Sequence, residues 1–482
     1  MRHDRRRSVR FLCLMGLFTC PSAGRPQAAE ISDRPNIVYI LADDLGFGDL
    51  GCYGQKTINT PNLDRMATEG LRLTRHYAGS TVCAPSRCVF LTGLHTGHAR
   101  IRGNQSGILR PEDITVAEVL RDAGYRTGCF GKWGVGNPPP IDDPARNGFD
   151  EFFGYISMFH AHNFYPEFVI RNGKRVALRN VLAGDWSQRF PDGRGVAQTR
   201  VDYVPHLVAR EAIQFVRHNA SRPFFLYLAM NVPHANNEAG RVGDRNGMEV
   251  PTYGEYSARD WKAPEKGFAA MIKNIDRDVG QVLQTLRQLE LERRTLVIFT
   301  SDNGPHQEGG HQMEFFNSNG DLRGMKRDLY EGGLRVPFIA WWPGTVAAGQ
   351  TSQHVSAFQD MLPTFAELAG VPSPPTDGIS MVSTLVGQPR EQSRHPHLYW
   401  EFQERGGRQA VLLGDWKGVR LMTSANPTGP IALYNLRLDP AERTDVRSRH
   451  LEVARRIAEI MAAEHTQSQS VRKRAGTRGS RN

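Results

Sequence analysis

Four short apolar runs, rich in β-branched and aromatic residues, punctuate the chain at 36–41, 126–130, 224–229 and 295–300. They show no period-two alternation, which predicts strands buried on both faces. Between them lie stretches with apolar residues at helical spacing: 62–69, 115–123, 203–219 and 267–289. In the last, Met271, Ile275, Val279, Val282 and Leu286 form one stripe. Strands alternating with helices predict an α/β fold, with a large, mostly parallel sheet between helices. From about residue 386 the pattern changes. Runs at 398–402, 409–413, 416–421 and 431–435 read as short strands separated by turn signals such as Gly406-Gly407 and Asn426-Pro427. An amphipathic stretch, 451–465, follows. Together these predict a small C-terminal antiparallel sheet with a helix. Stretches 157–200, 235–262 and 306–322 carry no clear period. Irregular segments of that length inside a compact domain are usually functional.

The N-terminus is a separate object. Arg2, Arg5, Arg6, Arg7 and Arg10 precede an apolar stretch, 11–20, and then small residues with cleavage expected after Gly24 or Ala29. That is the layout of a secretory signal peptide. The expected product is exported, periplasmic or secreted; a lipoprotein box at Cys20 and twin-arginine export have weaker support. The resulting division is 1–29 signal peptide, 30–385 catalytic domain, 386–465 C-terminal subdomain and 466–482 disordered basic tail.

Export changes how the formal charge of +10 is read. The two ends, 1–29 and 466–482, carry all of the excess, and the body between them is formally neutral. A nucleic-acid partner would need that charge on the folded surface, so none is expected. Hydrophobic content of 39% with 23% charged residues describes a globular chain, and no apolar run is long enough to cross a bilayer. The expected mature chain keeps Cys52, Cys83, Cys88 and Cys129, too few for a disulfide framework in an exported protein of this length.

Each predicted strand of the main domain runs into polar residues at its carboxyl end, where ligand crevices of open α/β sheets lie. They are Asp43-Asp44, Lys132, His234 and Asp302-Asn303. Asp43, Asp44, Asp302 and Asn303 offer only oxygen donors, which suit Ca²⁺ or Mg²⁺ rather than Zn²⁺. Cys83-Ala84-Pro85-Ser86-Arg87 places a cysteine where Pro85 predicts the first turn of a helix. Taken alone, this window fits three readings equally: a site for an anionic oxygen at the helix start, a low-pKa thiolate, or a small buried thiol.

Cys83-Ala84-Pro85-Ser86-Arg87, followed by an apolar turn and Thr92-Gly93, resembles the signature of the formylglycine-dependent sulfatases, on the alkaline-phosphatase-like fold. The resemblance continues in family order through Asp43-Asp44-Leu45-Gly46, Thr60-Pro61-Asn62-Leu63-Asp64, Gly131-Lys132-Trp133, Pro233-His234, Ser301-Asp302-Asn303-Gly304, Arg323-Gly324-Met325-Lys326, Tyr330-Glu331-Gly332-Gly333 and Arg335-Val336-Pro337. It covers roughly residues 35–440. It implies a sulfuric ester hydrolase of the arylsulfatase type, acting on a sulfated carbohydrate or aryl sulfate. It implies metal ligands Asp43, Asp44, Asp302 and Asn303, with residue 83 as a further ligand and Ca²⁺ ahead of Mg²⁺. Cys83 would be converted to formylglycine by a sulfatase-maturing enzyme, and its hydrate would attack sulfur. Arg87 would steady that hydrate, Lys132 and Lys326 would hold sulfate oxygens, and His234 would bind the ester oxygen or protonate the leaving alcohol.

The chain departs from the family at one position. Many sulfatases read Gly-Lys-x-His-x-Gly where this chain reads Gly131-Lys132-Trp133-Gly134-Val135-Gly136. His160 or His162 is the expected substitute for the missing histidine, ahead of His306 and His311. Two other readings stand beside the main one: a phosphodiester or phosphonate monoester hydrolase on the same fold, and a non-catalytic binder of sulfated glycans.

Overall fold

The computed structural model describes residue 1 and residues 34–104, 107–135 and 143–467. The expected signal segment, Gly136 and most of the basic tail lie outside the described residues. All four predicted strands form: Asn36–Ala42, Arg126–Lys132, Phe224–Ala229 and Thr295–Ser301. They lie side by side and parallel at the centre of a large mixed sheet, in the order 295–301, 36–42, 224–229, 126–132. Glu151–Tyr155 continues the parallel set on one side. On the other, Arg335–Trp341 runs antiparallel to the central strands, and Leu71–Tyr77 pairs antiparallel with it in turn.

Helices cover both faces, which is why the central strands are apolar throughout. One face packs Val38, Ile40, Leu226, Leu228, Val297 and Phe299 against helices Val204–His218 and Ala263–Gln288. Met271, Ile275, Val279, Val282 and Leu286, the predicted stripe, are all buried there. The helix begins a turn earlier than the stripe suggests, because Pro264 sits in its first turn, where a missing N–H costs nothing. The opposite face packs Ile37, Tyr39 and Leu41 against helices Cys83–Thr92, Val116–Asp122 and Met361–Leu368. Fully buried leucine-sized side chains such as these each contribute roughly 1.5–3 kcal/mol.

Stretch 157–200 is more ordered than its sequence pattern predicts. It contains the hairpin Phe168–Arg171 and Lys174–Ala177. Its turn, Asn172-Gly173, has φ of 48° and 77°, the pair of positive angles a two-residue hairpin turn needs.

The predicted C-terminal strands pair as one antiparallel sheet in chain order. One face holds Trp400, Leu412 and Val419 against Tyr77, Val82 and Leu334 of the main domain. The other packs on helix Leu451–Ala463 through Ile457, Ile460 and Met461. Thr466, just past that helix, is tied back by Arg102.

A pH-sensitive pair also anchors this region. His395 Nε2 lies 2.7 Å from Asp360 Oδ1. Burial opposes charge on the ring, but Asp360 outweighs it and raises the pKa above its ordinary 6.5. The pair's stabilisation is therefore fully present below pH 6.5 and is lost as pH rises through the raised value. His395→Gln is expected to lower Tm more at pH 6 than at pH 9 in differential scanning calorimetry. Equal losses at both would contradict this assignment.

Candidate active site

Strand register builds the site. Ala42 pairs with Ser301, so Asp43 and Asp302 emerge side by side at the sheet's carboxyl end. Asp44 then turns the chain with φ of 66°, a left-handed conformation that Asp adopts more readily than most residues. Its backbone N–H donates to Asp302 Oδ1 at 3.1 Å, and Asn303 Nδ2 donates to Asp44 Oδ1 at 2.7 Å. All four side chains are buried.

Cations close around these oxygens. Lys132 Nζ, from the end of strand 126–132 two positions across the sheet from strand 36–42, is 2.6 Å from Asp43 Oδ2. Lys326 Nζ makes three contacts: Asp44 Oδ2 at 2.7 Å, Glu308 Oε2 at 2.9 Å and His234 Nε2 at 3.0 Å. Arg87 donates from Nε and Nη2 to Asp302 Oδ2 at 3.1 and 2.8 Å, and from Nη1 to the Lys132 carbonyl at 2.6 Å. The helix that carries Arg87 starts at Cys83 itself, and all of its residues are buried. Cys83 Sγ lies 3.7 Å from Asn104 Oδ1. It lines a cleft of about 250 Å³ together with Asn104, His162, His234, Lys326 and Arg327.

The charges are strongly coupled. Burial and the neighbouring Asp43 push the Asp302 carboxyl up to about 7, against the pull of Arg87. Burial works against Asp43 too, yet Lys132, His234 and Arg87 hold its pKa well below the carboxylate range. Burial and Lys326 push His234 down to about 3. Its Nδ1 sits 2.7 Å from the Ala235 carbonyl, so Nδ1 carries the proton and Nε2 accepts from Lys326. Burial also pushes the Cys83 thiol up, even though Lys132 pulls the other way. That direction counts against the low-pKa thiolate among the three readings of residue 83.

The donor set fits a hard cation. Asp43 Oδ1 and Asn303 Oδ1 are buried and have no hydrogen-bond partner among the described residues. Orphaned buried oxygens are costly, and an oxygen-only set around them is the donor chemistry of Ca²⁺ or Mg²⁺. His234 stands close to Asp43 and Asp44 as well, but its Nε2 is already engaged by Lys326.

A sulfatase family model matches residues 35–371, spanning every element just described. This chain belongs to the sulfatase family. A second model, N-sulphoglucosamine sulphohydrolase, C-terminal, matches residues 324–469. The chain is 32% identical over 435 residues to N-acetylgalactosamine-6-sulfatase of Canis lupus familiaris, covering 85% of this chain and 74% of the relative. It is 33% identical to arylsulfatase A of Homo sapiens over 451 residues, covering 86% and 83%. Among solved structures it resembles Ps i-CgsB in complex with k-i-k-neocarrahexaose, with a TM-score of 0.73, 26% identity and coverage of 92% and 98%. The enzyme class is sulfuric ester hydrolase.

Within this sulfatase, the motifs divide between site and scaffold. Glu331 of Tyr330-Glu331-Gly332-Gly333 is buried away from the cleft residues; it accepts from Tyr77 Oη at 2.9 Å and from Lys417 Nζ of the C-terminal sheet at 2.8 Å. That motif ties the two sheets together. Gly46 lets another loop approach, since a Cβ there would stand 2.1 Å from the Ser318 carbonyl oxygen.

The departure at Gly134 has a physical reason. Its φ is 73°, and a Cβ there would press on Arg87 Cδ at 3.1 Å and Lys132 Cγ at 3.3 Å. A side chain in this left-handed backbone would be strained, and the Arg87 and Lys132 methylenes would have to give by a few tenths of an ångström. The expected substitutes separate cleanly. His160 turns away, its Nε2 at 3.0 Å from the Phe168 carbonyl. His162 reaches the cleft and stacks on His234, with ring centroids 4.8 Å apart. His306 hydrogen-bonds the Pro233 carbonyl at 3.0 Å, and His311 is buried against Glu265. Sequence reasoning missed Glu308, Glu238 and Asn104. The only signal for the first two was their place in stretches already marked as irregular.

Proposed function

We propose that this sulfatase is an exported enzyme that hydrolyses sulfate esters of carbohydrates to alcohol and inorganic sulfate, with residue 83 as formylglycine made by a sulfatase-maturing enzyme. One observation carries the reading: Cys83 and Lys326 line one small cleft, and Lys326 bonds Asp44, which belongs to a buried cluster of four oxygen donors for a hard cation held by Lys132 and Arg87. A carbohydrate is favoured because polar residues Asn104, Asn237, Arg194 and Glu238 stand in the cleft walls, and because two of the three named relatives, N-acetylgalactosamine-6-sulfatase and Ps i-CgsB with k-i-k-neocarrahexaose, carry a sugar in their names.

When present, a divalent cation, preferably Ca²⁺, supplies Lewis-acid stabilisation of sulfate charge, and the formylglycine hydrate supplies the nucleophilic hydroxyl. Asp43, Asp44, Asp302 and Asn303 would hold the cation. Arg87 is fixed by Asp302 and so directs positive charge toward both the cation ligands and residue 83. Lys132 and Lys326 are preorganised beside the place where sulfate oxygens would sit, and they need not be recruited from solvent during reaction. Lys326, with His234 accepting from it, holds a proton at Nζ for the leaving oxygen.

The test compares substrates in one preparation. An aryl sulfate or sulfated oligosaccharide is expected to show kcat/KM about 10²-fold or more above the matching phosphate or phosphonate ester. Equal or better turnover of the phosphorus esters would overturn the sulfate assignment.

A further inference from the structure

We propose that His162, held by Glu238, is the proton-accepting group of the cleft, its proton distinct from the one that Lys326 holds for the leaving oxygen, and this rests on the sulfate-ester reading above. The two residues come from different loops. His162 closes the short turn His160–His162, and its Nδ1 lies 3.3 Å from Glu238 Oε2. The ring is clamped by His234 on its face, at 4.8 Å and 14°, and by the edge of Phe159 at 5.8 Å. It is buried, with 7% of its surface exposed, yet it lines the same cleft as Cys83.

The other candidate bases are already engaged. His234 uses Nδ1 on the Ala235 carbonyl and Nε2 on Lys326. Lys326 spans Asp44, Glu308 and His234, and Lys132 is held by Asp43. Glu404 uses Oε1 on the Asn104 backbone N–H, and a carboxylate is ordinarily a weaker base than an imidazole. Arginine has no lone pair to offer. His162 Nε2 has no hydrogen bond to protein among the described residues, and it is not among the sealed, unpartnered buried atoms. It therefore opens onto the cleft.

A carboxylate at Nδ1 sets the tautomer and orientation of an imidazole and stabilises its cation. Glu238 would do this for His162. In the step, the O–H bond of a hydroxyl bound beside residue 83 breaks, and an N–H bond forms at His162 Nε2. The hydroxyl oxygen keeps the electron pair, and the new imidazolium is paired with the Glu238 carboxylate. The proton then passes to water at the cleft mouth, which restores neutral His162.

His162→Ala is expected to lower kcat about 10²-fold or more while KM moves less than about threefold. Imidazole added to the buffer should recover part of that loss, which a purely structural role would not allow. Glu238→Gln should fall between parent and His162→Ala. A readout that does not need turnover is carbethoxylation with diethylpyrocarbonate, mapped by peptide mass spectrometry. His162 should react and be protected by inorganic sulfate, while His234 should not react. The proposal is overturned if folded His162→Ala and His162→Gln keep kcat within about threefold of the parent. It is equally overturned if imidazole rescues neither variant, or if His234 reacts and His162 does not. A parent that turns over no sulfate ester would instead remove the functional reading, and the reagent map would still decide which imidazole faces the cleft.

Discussion

Cys83→Ala is expected to abolish sulfate-ester hydrolysis, lowering kcat by about 10⁴–10⁶-fold, the size of loss seen when a covalent nucleophile is removed. Little else should change. Cys83 starts a helix whose residues are all buried, and among the described residues its thiol's one hydrogen bond is a long contact to Asn104. The variant should keep its far-ultraviolet circular dichroism, its cation affinity within an order of magnitude, and binding of substrate. Cys83→Ser is the sharper comparison. A serine would leave a sulfate ester on residue 83 that has no second hydroxyl to expel it, so at most one turnover is expected. Multiple turnover by Cys83→Ser at the parent rate would show that residue 83 is not the nucleophile. Substrate binding with no turnover in the parent itself would favour the glycan-binder reading.

Asp302→Asn is the second large effect. Asp302 is the main partner of Arg87 and one of the four proposed cation ligands. The substitution keeps one oxygen acceptor for Arg87, so destabilisation should fall short of the ~3–5 kcal/mol typical of breaking a buried ion pair. The cation site should suffer more. Calcium retained after gel filtration, measured by plasma mass spectrometry, should drop to background, and kcat should fall about 10³-fold, the scale of losing one preorganised electrostatic group. The parent should lose activity on prolonged chelation and regain it with Ca²⁺. Full activity in Asp302→Asn with no bound metal would show that the oxygen cluster is structural.

What could be read from sequence follows from where each element sits. Strands 36–42 and 295–301 are buried on both faces, so their apolar runs stand out. Leu71–Tyr77 is only partly covered, and Arg72, Thr74 and Arg75 interrupt its pattern. Arg335–Trp341 carries Pro337, which normally argues against a strand; the register shift between Val336 and Phe338 is how the sheet accommodates it. The four side chains of the proposed cation site were legible because they follow directly on strand ends. Glu238 and Glu308 were not, because their roles depend on loops closing: Glu238 meets His162 across 76 positions of chain. The histidine question shows the same limit. Sequence proposed His160 and His162 together, and only the fold shows one ring turned to Phe168 and the other to the cleft.

The central claim concerns the chemical identity of residue 83, and peptide mass spectrometry tests it most directly. The protein, produced with a sulfatase-maturing enzyme and shown to hydrolyse a sulfate ester, is digested with trypsin, and the peptide spanning residues 76–87 is sequenced. The expected result is an aldehyde in place of the CH₂SH group at residue 83, in a fraction that tracks specific activity across preparations. An active preparation in which residue 83 is unmodified cysteine throughout would contradict the account.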